Sequence, residues 1–192
     1  MRGGRDKVMQ RKQGDSPGMD DLVQLIEPMI PAMRRYARAL LRDQAVADDL
    51  VQDCLERVIA QWHKRRDAGS TRSWVFAILH NQAMNVLRQI RVRGHHVPLE
   101  AVGEAVLTTR ATQEDALRYG ELLRALDSLP KEQSSVLLLV SVEGLSYAET
   151  AKVLDVPIGT VMSRLSRGRE KLLNLIQGDF AAPARPALRR VK

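Results

Sequence analysis

The chain has 192 residues, 44% hydrophobic and 4% aromatic, with a net charge of +7 and a pI near 10, enough for one ordinary domain or two small ones. Its single cysteine, Cys54, excludes an internal disulfide framework, and four scattered histidines without CxxC or HxxxH spacing leave structural zinc no ligand set. No apolar run approaches the roughly 20 residues of a membrane span, and the first residues, MRGGRDKVMQRKQGD, have no apolar core of a signal peptide, so the expectation is a cytoplasmic chain without membrane insertion.

Along the chain, residues 1–18 read as a basic, disordered tail, with Met19 as an alternative start, and residues 179–192 as a second basic tail. Residues 1–18 and 183–192 together account for the whole net charge, so the pI alone is weak support for nucleic-acid binding. The body between them is banded. Residues 43–56 hold five acids and no base, residues 57–93 eight bases and one acid, and residues 156–177 four bases and one acid. Such banding suits separate faces for separate partners.

Strand patterns are almost absent, and helical spacing recurs throughout, which predicts an all-α fold. Ile26, Met29, Ile30, Met33, Ala37, Leu40 and Leu41 step at three and four, with Pro28 and Pro31 expected to kink or restart that helix. Ala47, Leu50, Val51, Cys54, Leu55, Val58, Ile59 and Trp62 then form an apolar stripe, opposite Asp48, Asp49, Gln52, Asp53 and Glu56. Cys54 therefore reads as a core residue.

Residues 63–70, HKRRDAGS, form a polar loop, and Ser70 or Thr71 can cap a third helix from about Arg72 to Arg91. Three such helices make a small bundle. Residues 94–113 lose the amphipathic period and read as a flexible linker between a first domain, 19–93, and a second, 114–178. There Leu117, Leu122, Leu123 and Leu126 predict a helix, Pro130 suits the first turn of the next, and Gly144 its C-cap. Ser146 and Glu149 have capping-box spacing for a helix Tyr147–Leu154, and after a turn at 155–157 a last helix runs to about Gln177.

Two helices across so short a turn are the sequence form of a helix-turn-helix, whose second helix lies in a DNA major groove. Val161, Leu165, Leu172 and Ile176 supply its inner stripe. The outward positions include Gly159, Thr160, Ser163, Arg164, Arg167 and Lys171, where hydroxyls and cations suit base edges and phosphates, and Gly159 lets backbone amides approach a phosphate.

Residues 128–172, SLPKEQSSVLLLVSVEGLSYAETAKVLDVPIGTVMSRLSRGREKL, closely resemble region four of bacterial sigma factors, especially the extracytoplasmic-function (group 4) class. Residues 47–62, ADDLVQDCLERVIAQW, resemble the part of sigma region two that docks on the clamp coiled coil of the largest RNA polymerase subunit. The resemblance makes Asp48, Asp49, Gln52, Asp53 and Glu56 candidate polymerase contacts. Residues 71–93, TRSWVFAILHNQAMNVLRQIRVR, resemble the element that recognises and opens −10 promoter DNA. It implies roles there for Trp74, Asn81, Asn85, Arg88, Arg91 and Arg93, with residues 63–70 bordering a pocket for an extruded base. Met162 departs from the Lys or Arg common at its position, which leaves one DNA contact in doubt.

The resemblance implies an alternative sigma factor of two small helical domains. Its partners would be core RNA polymerase, promoter DNA at the −10 and −35 elements, and an anti-sigma factor. No catalytic residue, metal, cofactor or small-molecule substrate is expected, since no nucleophile–base pair, phosphate loop or metal cluster stands in the sequence. Two other readings compete: a sigma-like decoy that captures an anti-sigma factor, and an ordinary helix-turn-helix regulator.

Overall fold

The computed structural model describes residues 19–64, 70–93 and 113–180, and these form helices joined by short turns, with no strand among them. The N-terminal tail, the C-terminal tail beyond Phe180 and most of the expected linker lie outside the described residues, and α8 takes in the first two residues expected to belong to the C-terminal tail. The first domain contains α1 (Met19–Ile26), α2 (Ile30–Leu41), α3 (Gln44–Gln61) and α4 (Thr71–Arg93). The second contains α5 (Gln113–Asp127), α6 (Lys131–Leu137), α7 (Tyr147–Leu154) and α8 (Ile158–Phe180).

The two early prolines act as expected. Pro28 sits in a short 3-10 turn, Glu27–Met29, and Pro31 in the first turn of α2, where a missing N–H costs nothing, so α1 and α2 are separate helices. α2 ends on Arg42 in the left-handed conformation (φ 64°), its N–H bonded to the Arg38 carbonyl. Asp43 then caps α3, accepting the Val46 N–H at 3.0 Å. This cap starts α3 at Gln44, three residues before the apolar stripe itself begins.

Tyr36, Met33, Leu40, Cys54, Val58, Phe76 and Leu79 are fully or almost fully buried between α2, α3 and α4. Tyr36 meets Phe76 edge-on, with ring centroids 5.6 Å apart and planes at 79°. Burial pushes the Cys54 thiol up to about 12, against a smaller opposing effect of Arg57.

In the second domain, Pro130 is the N-cap of α6 and not a residue of its first turn. The expected single helix up to Gly144 divides instead: α6 passes at Leu138 into a π turn, Leu138–Val142, closed by the Glu143 N–H on the Leu138 carbonyl at 2.9 Å. Gly144 takes a left-handed φ of 68°, the conformation a C-cap glycine supplies. The capping box of α7 is complete. Glu149 N–H donates to Ser146 Oγ (3.2 Å), and Ser146 N–H donates to Glu149 Oε2 (3.0 Å). The Ser146 backbone N–H foremost, and then the Ser146 hydroxyl donating to Oε2 at 2.8 Å, hold the Glu149 carboxyl below the usual range.

α8 crosses α6 closely at Gly168. A Cβ there would stand 3.0 Å from Leu137 Cδ1.

The domains also pack on each other. α7 lies on α4, while α6 and the π turn lie against α2, so apolar residues of both domains join in one buried cluster.

Candidate nucleic-acid and polymerase interface

On α3, Asp49, Gln52, Asp53 and Glu56 are all exposed and step at three, one and three, a single acidic face. Gln52 Nε2 reaches Glu56 Oε1 at 3.4 Å, which aligns the row. Asp48 does not join it. Its half-buried carboxylate accepts two 3.0 Å hydrogen bonds from Arg38 and lies 3.9 Å from Arg34, tying α3 to α2. The sequence grouped Asp48 with the others because a polar position adjoining a face looks like part of it; the partners on α2 are ten and fourteen residues away and invisible to that count.

On α4, Asn81, Asn85, Arg88 and Arg91 are exposed along one side. Asn85 Oδ1 accepts from Arg88 at 3.0 Å, which orients the amide and leaves its NH2 group outward. Trp74 is partly buried, its ring 6.2 Å from that of Trp62 and inclined at 52°. It therefore packs on the core with part of the indole accessible. Arg93 ends α4, and its side chain lies outside the described residues, as do residues 65–69 of the adjoining loop.

On α8, Val161 and Leu165 are buried, as the inner stripe requires. Gly159, Ser163, Arg167 and Lys171 are exposed, and Thr160 and Arg164 are partly so. The Ser163 hydroxyl donates to the Thr160 carbonyl at 3.1 Å, which leaves its oxygen as an acceptor. Pro157 ends the inter-helix turn and opens α8, its carbonyl taking the Thr160 N–H at 2.8 Å. One flank of the helix also carries Ile158, Met162 and Leu173, all exposed apolar residues. The sequence reading treated only Met162 there, as a missing cation.

Between the domains stands a polar cluster that sequence reasoning missed. The Glu143 carboxylate is completely buried. Arg35 of α2 donates to both its oxygens, Nε to Oε1 at 3.0 Å and an Nη to Oε2 at 2.8 Å. Arg72 of α4 donates to the Glu143 carbonyl at 2.7 Å and lies 3.4 Å from Oε2, with its guanidinium 5.5 Å above the Phe76 ring. Nearby, the Tyr36 hydroxyl and His80 Nδ1 are 2.9 Å apart. Burial raises the Tyr36 phenol well above its ordinary value, offset in part by Ser135 and reinforced by Glu143, and burial lowers His80 to about 4. The only local hint in the sequence is a carboxylate, Glu143, ending the apolar run VLLLVSV.

These parts define a two-domain, all-helical protein with a helix-turn-helix on one domain and an acidic docking face beside an asparagine-bearing helix on the other. Two family models match it: the "Sigma2 domain of PhyR" over residues 26–80 and "Sigma-70, region 4" over residues 119–172. The chain is 32% identical to the ECF RNA polymerase sigma factor EcfG of Rhodopseudomonas palustris, over 86% of this chain and 90% of that one. To SigM of Mycobacterium tuberculosis it is 36% identical, covering 75% and 71% respectively. Among solved structures, the sigma factor RpoE from Bartonella quintana, crystallised with the anti-sigma factor NepR, superposes with a TM-score of 0.71 at 28% identity, over 84% of this chain and 99% of that one. CnrH, solved with the cytosolic domain of CnrY, shares the fold at a TM-score of 0.66 and 22% identity, over 85% of this chain and 92% of that one. The chain belongs to the extracytoplasmic-function RNA polymerase sigma factors.

Proposed function

We propose that this chain docks on core RNA polymerase through Asp49, Gln52, Asp53 and Glu56 of α3, reads the −10 element with α4, and reads the −35 duplex with α8. The observation that carries the reading is that an asparagine row and a basic helix-turn-helix face stand exposed on two different domains of one chain. An ordinary helix-turn-helix regulator needs only the second. The acidic row of α3 suits a basic helical hairpin through charge-assisted hydrogen bonds and electrostatic steering.

The α4 amides fit the edges of unpaired bases, the accessible part of Trp74 fits base stacking, and Arg88, Arg91 and Arg93 fit backbone phosphates. Promoter melting then proceeds by binding alone: contacts to the unpaired strand offset the cost of unstacking, and the chain does no chemistry of its own. It acts in the cytoplasm, where the polymerase is. Control by an anti-sigma factor is in keeping with the RpoE structure, which holds the anti-sigma factor NepR.

Run-off transcription with purified core polymerase on a promoter library tests the proposal. Promoter-specific transcripts dependent on this chain are expected. Their complete absence, with any anti-sigma partner removed, overturns it in favour of a decoy that only captures such a partner.

A further inference from the structure

The Glu143 contact joins residues 108 and 71 positions apart and lies between two domains that have different DNA elements to read. Around it, α7 lies along α4, and the Glu149 carboxylate at the start of α7 faces Ser70 and Arg72 at the start of α4. The two elements, by their names, are centred about 25 base pairs apart, roughly 85 Å along a duplex. Helices in side-chain contact cannot bridge that distance. The 19 residues from 94 to 112 can, since a chain of that length reaches up to about 65 Å beyond the domains themselves.

We propose that Glu143 is an internal latch: held by Arg35 and Arg72, it keeps the helix-turn-helix domain folded back on the first domain without any partner protein, and it releases before both promoter elements are engaged. This rests on the reading of the chain as a sigma factor. The chemistry of the contact suits a latch better than a permanent joint. A buried, doubly bonded carboxylate enforces one docking geometry, because any misaligned closure leaves a charge buried and unpaired. When the domains part, however, water rehydrates all three charges, so release meets little net electrostatic cost. Arg35 keeps 43% of its side chain exposed even in the closed form, so water reaches the contact from outside.

Closure leaves the proposed reading residues of α8 and the acidic row of α3 exposed, while α7 covers the start of α4. The latch therefore restrains the start of α4 and the spacing of the domains, leaving the asparagine row of α4 exposed and the first encounter with polymerase free. Population logic follows: if only a fraction of molecules is open, apparent affinity for a partner that requires the open form falls by that fraction.

Small-angle X-ray scattering on the full chain tests this without DNA or polymerase, so its outcome is independent of whether transcription is ever observed. Wild type, Arg35→Ala, Glu143→Ala and the double variant are compared, with circular dichroism confirming that helix content is kept. The single variants are expected to enlarge the radius of gyration by about a fifth or more, the step from one compact body to two separated ones. The double variant should open no further than either single one, the non-additivity of a shared contact. A wild type already as extended as the variants, or single variants as compact as wild type, overturns the proposal. Should Glu143→Ala lose helix content, Arg35→Ala, at a half-exposed position, decides alone.

Discussion

The Tyr36 hydroxyl and His80 Nδ1 meet at 2.9 Å between α2 and α4, and both groups are held neutral by burial. A histidine whose folded value is lowered to about 4, against 6.5 for an ordinary one, binds fewer protons folded than unfolded between those values. Stability contributed by neutral His80 is thus fully present above about pH 6.5 and is lost as pH falls through about 4. The loss is at most about 3 kcal/mol. Urea midpoints measured from pH 7 to 4 should fall steeply for wild type and less steeply for His80→Gln; parallel curves would show that His80 does not titrate on unfolding.

The raised phenol of Tyr36 acts at the other end of the scale. Folded Tyr36 keeps its proton where the unfolded chain loses it, so stability declines as pH rises above about 10. Tyr36→Phe should remove that alkaline decline in urea midpoint. An undiminished decline would assign it to other groups.

Local signals were legible in the sequence, and long-range ones were not. The all-α class, the Ser146–Glu149 capping box and the Gly144 turn follow from residues within four positions of one another, and the structure has each of them. The division of the α6 run by a π turn was not legible, because it is a shift in hydrogen-bond partner that leaves the apolar pattern VLLLV unchanged. Asp48 and Asp49 look alike to a periodicity count, yet one turn step of 100° directs the first to Arg38 and the second outward. The Arg35–Glu143–Arg72 cluster depends on how two domains dock, and no periodicity within either domain encodes that.

The different settings of those aspartates should separate in experiment. Asp53→Lys is expected to weaken association with core polymerase about tenfold, mainly through a slower on-rate that high salt conceals. Asp48→Asn should leave that association nearly unchanged and lower stability by no more than about 1 kcal/mol, the scale of a partly exposed ion pair. Stopped-flow binding and urea denaturation read the two effects. Equal losses of affinity from both substitutions would return Asp48 to the docking face.

The Ser146 cap holds α7 in register for α8. Ser146→Ala removes an acceptor for the Glu149 N–H, at a cost of about 1 kcal/mol in urea denaturation. Ser146→Asp should retain most of that stability, since a carboxylate serves the same N–H and suits the helix dipole. Equal destabilisation by both substitutions would show that the box matters for packing and not for capping.

On α8 the partly buried Arg164 and the exposed Arg167 are open to different kinds of contact. A guanidinium anchored near the helix body can be aimed at a base edge, whereas one free in solvent can settle on a phosphate. Arg164→Ala should then weaken −35 duplex binding by about 1–3 kcal/mol and relax the preference at one base pair. Arg167→Ala should weaken binding to every duplex alike and reduce the slope of log affinity against log salt by about 1. Fluorescence anisotropy across a set of single-base variants, repeated at several salt concentrations, measures both quantities. If Arg164→Ala left the preference intact while Arg167→Ala relaxed it, the two roles would be exchanged, and the groove-facing side of α8 would lie one residue step around from the face assigned to it.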